Sequence, residues 1–220
     1  MRLWSNSFRD GGLIPDDYAF ARIDPLQHVA PAGNRNPHLA WDETPPGAES
    51  LALFCIDVDA PRDTSNANCP GLTLPMALLR SDFYHWSVLD VPLFRSSIGA
   101  GELSREVTPR GKAQQQVLLG VDGNARRLRQ GLNDYTGRFA GDPDMAGDYY
   151  GYDGPAPPWN DERIHHYIFR LYALDAQRVT LPPRFTGAQA RAALHGHILD
   201  EAQLVGAYSL NPALAATLTR

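Results

Sequence analysis

Eighteen prolines and nineteen glycines are spread along the 220 residues without gathering into one linker. Proline removes a backbone donor and glycine loosens the chain, so the regular elements between them are short and turns are frequent. That punctuation predicts an all-β protein with minor helices, built from antiparallel strands. The clearest strands are residues 51–57, 85–91 and 165–175. Residues 51–56 (Leu-Ala-Leu-Phe-Cys-Ile) are apolar throughout, which places them mid-sheet with both faces covered. Pro92 marks the exit of the second strand, and Ile164, Tyr167, Ile168, Phe169 and Tyr172 supply the third with β-branched and aromatic side chains.

One helix is legible near the C-terminus. Thr186 is its candidate N-cap, and Ala190, Ala193, Leu194 and Ile198 share one face before Glu201. Gly196 weakens it by about 1 kcal/mol relative to alanine. Residues 204–210 then read as a closing strand. Two stretches, 63–79 and 139–152, read as surface insertions with no core of their own, so residues 1–220 are taken as one domain.

The composition, 43% hydrophobic and 20% charged, is that of a folded chain. A net charge of −5 argues against a nucleic-acid partner, which calls for a clustered basic face. Lys112 is the only lysine; an arginine-rich composition accounts for that as well as any anion-binding role does. Polar residues interrupt the N-terminus before a signal-peptide core forms, and no run reaches the ~18 apolar residues of a spanning helix. The expectation is a soluble, cytoplasmic protein. Cys55, inside its apolar run, reads as a buried inert thiol, and a Cys55–Cys69 disulfide is left open.

No Gly-x-Ser-x-Gly elbow, phosphate loop or His-Glu-x-x-His occurs, and neither a cofactor nor a metal is expected. Asp142-Pro-Asp144-Met-Ala-Gly147 lacks the later acidic ligands of a calcium loop. His195-Gly-His197 would point its rings apart on a helix.

Three segments remain: Asp57-Val-Asp59-Ala-Pro61-Arg62; Tyr84-His85-Trp86; and Gly154-Pro-Ala-Pro157-Pro158 followed by His165-His-Tyr167. Each puts polar groups at the end of an apolar strand, where neighbouring strands converge on a rim. Asp57 and Asp59 can face one side of an extended chain, as can His165 with Tyr167 and His85 with Ser87. A carboxylate beside an imidazole favours its cation, and tyrosine hydroxyls and backbone N–H groups add donors, so the set suits a small anion. The competing reading makes the aspartates turn caps and the histidines packed aromatics. A Ser87–His85–Asp hydrolase is a weaker alternative, because no oxyanion-hole turn is visible, and a metal-dependent enzyme using His85, His165 and Asp57 is weaker still.

These segments resemble the signature blocks of the phosphatidylethanolamine-binding protein family, which includes Raf kinase inhibitor proteins and plant flowering regulators. Asp57-Val-Asp59-Ala-Pro61 is similar to its Asp-Pro-Asp-Ala-Pro block, His85-Trp86 to its His-Trp block, and Gly154 through Pro158 with His165-His-Tyr167 to its Gly-x-Pro-Pro and His-Arg-Tyr block. Asn34 through Trp41, Arg129 through Tyr135 and His195 through Tyr208 resemble stretches of the bacterial branch. The resemblance implies an antiparallel β-sandwich with peripheral helices, a non-enzymatic binding or regulatory protein, and a pocket for phosphate-like groups. The implied ligand-binding residues are Asp57, Asp59, Pro61, His85, Gly154, Pro157, Pro158, His165 and Tyr167, with Ala60–Pro61 a candidate cis peptide. A kinase or protease as protein partner is implied as the alternative, and a homodimer is left open. Val58 and His166 stand where the family has proline and arginine.

Overall fold

The computed structural model describes residues 1–115, 117–119 and 126–218. Its strands are β1 (Arg2–Trp4), β2 (Ala21–Asp24), β3 (His28–Pro31), β4 (Leu39–Asp42), β5 (Ser50–Pro61), β6 (Arg80–Val91), β7 (Ser97–Ile98), β8 (Leu118–Leu119), β9 (Arg126–Arg127), β10 (Arg129–Gln130), β11 (His165–Leu174) and β12 (Ile198–Tyr208). Three short helices, α1 (Tyr135–Arg138), α2 (Gly187–Ala193) and α3 (Pro212–Ala215), and one 3₁₀ turn (Asp16–Tyr18) complete the described elements.

The main sheet has the order β10-β6-β5-β11-β12, with every pairing antiparallel. The apolar run therefore lies at its centre, as its composition predicts. Leu51, Leu53 and Cys55 join one hydrophobic cluster, with Trp86, Phe169 and Leu171, beneath the small sheet β1-β4-β7. Ala52, Phe54 and Ile56 face the opposite way, against Phe185, Ala190 and Leu194. Alternation along one strand thus feeds two cores, because side chains of an extended chain leave it on opposite faces.

Helix α2 begins where expected. The Thr186 side chain accepts from the Gln189 N–H, and the Gln189 side chain returns a bond to the Thr186 N–H, a reciprocal cap. Its end differs from the expectation. The helix stops at Ala193, Gly196 adopts φ +86°, and Ile198 opens β12. A left-handed glycine closes a helix more cheaply than it continues one, so Ile198 belongs to the strand and His195 and His197 to the turn. His197 pairs with Asp175 at 2.8 Å.

The stretch 139–152 is not confined to the surface: Tyr149 and Tyr152 are fully buried. Cys55 and Cys69 are both free thiols. No helix among the described residues is long and apolar enough to cross a membrane.

Candidate functional site

One end of β5, β6 and β11 forms a corner. Asp57 pairs in register with Tyr167 on β11 and Phe83 on β6. Cys55 then pairs with Trp86 but Ile56 with Tyr84, so His85 is the extra residue of a β-bulge. A bulge re-aims the side chains around it. His85 is turned to pack against Tyr167 and Tyr135, ring centroids 5.1 and 5.5 Å away. Ser87 instead lies beside Gly131 and Phe185, in the other core, and the shared face read for His85 and Ser87 is corrected.

Between these strands lies a hollow of ≈ 80 Å³. Asp57, Pro61, His85, His165 and Tyr167 line it, with Pro157 and Pro158 forming one wall. Phe83, Tyr135, Thr64, Asn68 and Arg138 also line it. The two distant imidazoles therefore share one cleft.

Their states differ. His165 Nδ1 is 2.7 Å from Asp57 Oδ2 and its Nε2 3.1 Å from Asp161 Oδ2. Both nitrogens meet carboxylates, which requires the doubly protonated ring. Burial alone would drive this ring neutral; Asp57 and Asp161 outweigh it and raise the pKa to about 9. Arg80 forks onto Asp161 at 2.5 and 3.0 Å, so charges alternate from Asp57 outward. His165 is a spent cation, with no N–H left for a ligand.

His85 Nδ1 is 2.7 Å from the Asp153 carbonyl oxygen. A carbonyl only accepts, so Nδ1 carries the hydrogen. Burial lowers this pKa more than Asp57 and Asp153 raise it, and the ring is neutral at physiological pH. Its Nε2 is buried with no hydrogen-bond partner among the described residues, and the Tyr167 hydroxyl, close to the Asp57 carboxylate, makes no well-formed bond there either. Burial, reinforced by the Asp57 charge, pushes the Tyr167 phenol well up; it stays protonated and is a donor.

Behind His85, Asp153 is fully enclosed. Its Oδ1 accepts from Asn34 Nδ2 at 2.7 Å and pairs with Lys112 Nζ at 2.9 Å, and its Oδ2 accepts from Asn133 Nδ2 at 2.7 Å. Lys112 also donates to Ser104 Oγ at 2.9 Å and to the Tyr152 carbonyl. Burial lowers the lysine pKa against the pull of Asp153.

Two expected ligand residues stand outside the hollow. Asp59 accepts from the His166 N–H at 3.0 Å, His166 Nδ1 at 2.8 Å and Arg163 Nη1 at 3.0 Å. Burial would raise its pKa, but these bonds hold it below the usual range. It ties β11 to β5, and Arg163 supplies a guanidinium there although His166 stands where the family has arginine. Gly154 supports the wall from behind: its N–H donates to Asn34 Oδ1 and its carbonyl accepts from the Tyr135 hydroxyl, each at 2.8 Å. A Cβ at Gly154 would fall on the Tyr18 carbonyl. The expected cis bond at Ala60–Pro61 is absent: no described peptide is cis, because β5 runs extended through Pro61, paired with Arg80.

Sequence reading missed Phe83, Tyr135, Arg138, Asp153 and Asp161. Tyr135 closes a block noted for its resemblance, so that block carried a usable signal. Arg138, exposed at the mouth, carries none; its guanidinium has no ion-pair partner among the described residues.

The family model for phosphatidylethanolamine-binding protein matches residues 4–209. The UPF0098 protein YbhB of Escherichia coli (strain K12) is 29% identical over 209 residues, covering 95% of this chain and 100% of its own. A UPF0098 protein of Methanothermobacter thermautotrophicus is 31% identical over 208 residues, covering 94% of this chain and 98% of its own. The crystal structure of E. coli YbcL, described as a new member of the mammalian PEBP family, is similar with a TM-score of 0.63 at 21% identity, covering 94% of this chain and 97% of its own. A putative PEBP homolog from Chlamydia trachomatis, CT736, has a TM-score of 0.58 at 24% identity, with 94% and 96% covered. At these identities the two structures speak for the fold.

Proposed function

The chain belongs to the phosphatidylethanolamine-binding protein family, and from that premise we propose that it is a binding protein whose hollow takes a small phosphate-like anion. One observation carries the reading: His85 and Tyr167 line the same small hollow, and His85 Nε2 and the Tyr167 hydroxyl are buried without a well-formed hydrogen bond among the described residues. Buried polar atoms in folded proteins almost always have partners, and an orphaned pair in one cavity is what a missing ligand leaves. Arg138 at the mouth supplies a free cation to attract an anion. At ≈ 80 Å³ the space is well below the ~300–1,000 Å³ of sites for drug-sized molecules. It suits a group the size of a phosphoryl. Binding is preferred to turnover because Ser87, the serine nearest His85 along β6, is not on the walls.

Calorimetric titration with inorganic phosphate and phosphoethanolamine tests this. The native protein is expected to bind, and Tyr167→Phe to bind about tenfold more weakly through loss of one hydrogen bond to a charged group. Absence of binding, or affinity unchanged in His85→Ala, would sink the reading.

A second reading rests on the loop 63–79, which exposes Leu72, Met76 and Leu79 while Asn160 pins it through the Asn66 and Leu72 carbonyls. A fixed loop offering apolar side chains is suited to a protein partner, such as an enzyme it inhibits. Met76→Asp with Leu79→Asp is expected to abolish such binding in a pull-down with the fold intact; a partner retained by this variant would exclude the loop.

A further inference from the structure

The two orphaned groups in the hollow differ in kind. The Tyr167 hydroxyl, kept protonated by its enclosure, is a donor. His85 is the reverse, since its Nδ1–H is committed to the Asp153 carbonyl at 2.7 Å, which leaves the lone pair on Nε2 of a ring that lines the cavity. That commitment is enforced from behind. The Asp153 N–H bonds the His85 carbonyl at 3.2 Å, and Lys112, Asn34 and Asn133 clamp the Asp153 side chain. The ring cannot swap tautomers without breaking its bond to a carbonyl that is locked in place.

A bare anion is a poor match for this pair, because one of its lone pairs would face that of Nε2. The groups around His85 sharpen the point. Asp57 faces it from β5, His165 and Tyr167 from β11, Tyr135 from α1, Phe83 from its own strand and Asp153 from behind. The His165 charge is already shared between Asp57 and Asp161, and Arg138 stands only at the mouth. Among the described residues no cation other than the already engaged His165 lines the inner end of the hollow to offset a second negative charge.

We infer, on the reading that the hollow binds a phosphate-like anion, that its ligand is a phosphoryl group which itself carries a proton: phosphate or a phosphomonoester as the monoanion, its P–OH donating to His85 Nε2 while the Tyr167 hydroxyl donates to a P–O oxygen. Monoesters lose this proton near pH 6, so the protonated form is at hand near neutrality. A phosphodiester, such as an intact phospholipid head group, is fully ionised there, and so is sulfate. Sulfate has the shape and size of phosphate, so it isolates the proton from the fit. To bind with the same bonds it must draw a proton onto a ring whose burial opposes the charge.

Competing titrations at pH 6.5 with inorganic phosphate, methyl phosphate, dimethyl phosphate and sulfate test the inference on the native protein. Phosphate and methyl phosphate are expected to bind about 10–100-fold more tightly than sulfate or dimethyl phosphate, the penalty of leaving a buried acceptor unpaired. Methyl phosphate affinity should fall about tenfold for each pH unit above its second ionisation. His85→Gln, whose amide can donate, should bring sulfate and phosphate together, whereas Tyr167→Phe should weaken both and leave their ratio. Sulfate binding as tightly as phosphate would overturn the proton requirement while leaving the anion site standing. A ratio unchanged in His85→Gln would overturn its assignment to His85. If no anion binds, the site itself is wrong and the inference falls with it.

Discussion

Replacing Lys112 with methionine is expected to lower the free energy of unfolding by about 3–5 kcal/mol, the usual consequence of removing one partner of a buried ion pair. The lysine and aspartate side chains are only 9% and 1% exposed. Methionine fills nearly the same volume, so the loss is one of charge and not of packing. It strands the Asp153 carboxylate with two amide donors, from Asn34 and Asn133, in a place where water cannot compensate. Adding Asp153→Asn should recover part of the loss, because the uncompensated charge goes with it; the amide then meets the Asn133 donor awkwardly, so recovery is incomplete. Urea denaturation of the two variants measures both effects. A loss below about 1 kcal/mol for the single variant would mean that the pair contributes no more than a surface salt bridge.

Raising the pH from 6.5 to 9 is expected to remove about 3 kcal/mol of stability through His165 alone. The folded pKa, raised from 6.5 to about 9, lies above the unfolded one, so the contribution is complete below pH 6.5 and fades as the ring loses its proton between 6.5 and 9. His85 acts in the opposite direction. Burial lowers its pKa, so the folded state resists protonation and stability falls as pH drops below 6.5. The two together place the optimum near neutrality. Other groups titrate in the alkaline range, Lys112 among them, and the informative quantity is the difference between the native protein and His165→Gln. That difference should shrink by about 3 kcal/mol over the interval in urea melts at fixed pH. Parallel curves would show that His165 is not the buried cation its two carboxylates imply.

The sheet was legible because its signals are local. Residues 51–56 are apolar without interruption, and such a run in a chain punctuated by proline and glycine has few other places to go. The cap at Thr186 was legible for the same reason, being decided within four residues. The end of that helix was not: continuing the apolar face to Ile198 looked reasonable until Gly196 took a left-handed conformation and the following residues found a pairing partner in β11. Phe139 through Tyr152 misled in the opposite sense, since glycine and aspartate concealed two tyrosines that the fold buries completely.

At the site, the residue types were available from the sequence and their roles were not. The chain order alone marked Asp57, His85, His165 and Tyr167 as groups that strand ends could bring together, because each lies at or near one end of a segment of strand-forming residues. Only the tertiary structure decided that one histidine is a cation fully engaged by two carboxylates while the other is a neutral ring with a free lone pair. It also decided that Asp59 and Gly154 stand behind the walls, and that the single lysine pairs with the side chain of the aspartate whose backbone carbonyl holds His85. The physical reason is that a protonation state or a tautomer depends on neighbours a few ångströms away, contributed by segments as far as 119 residues distant, whereas propensity and periodicity depend on neighbours along the chain.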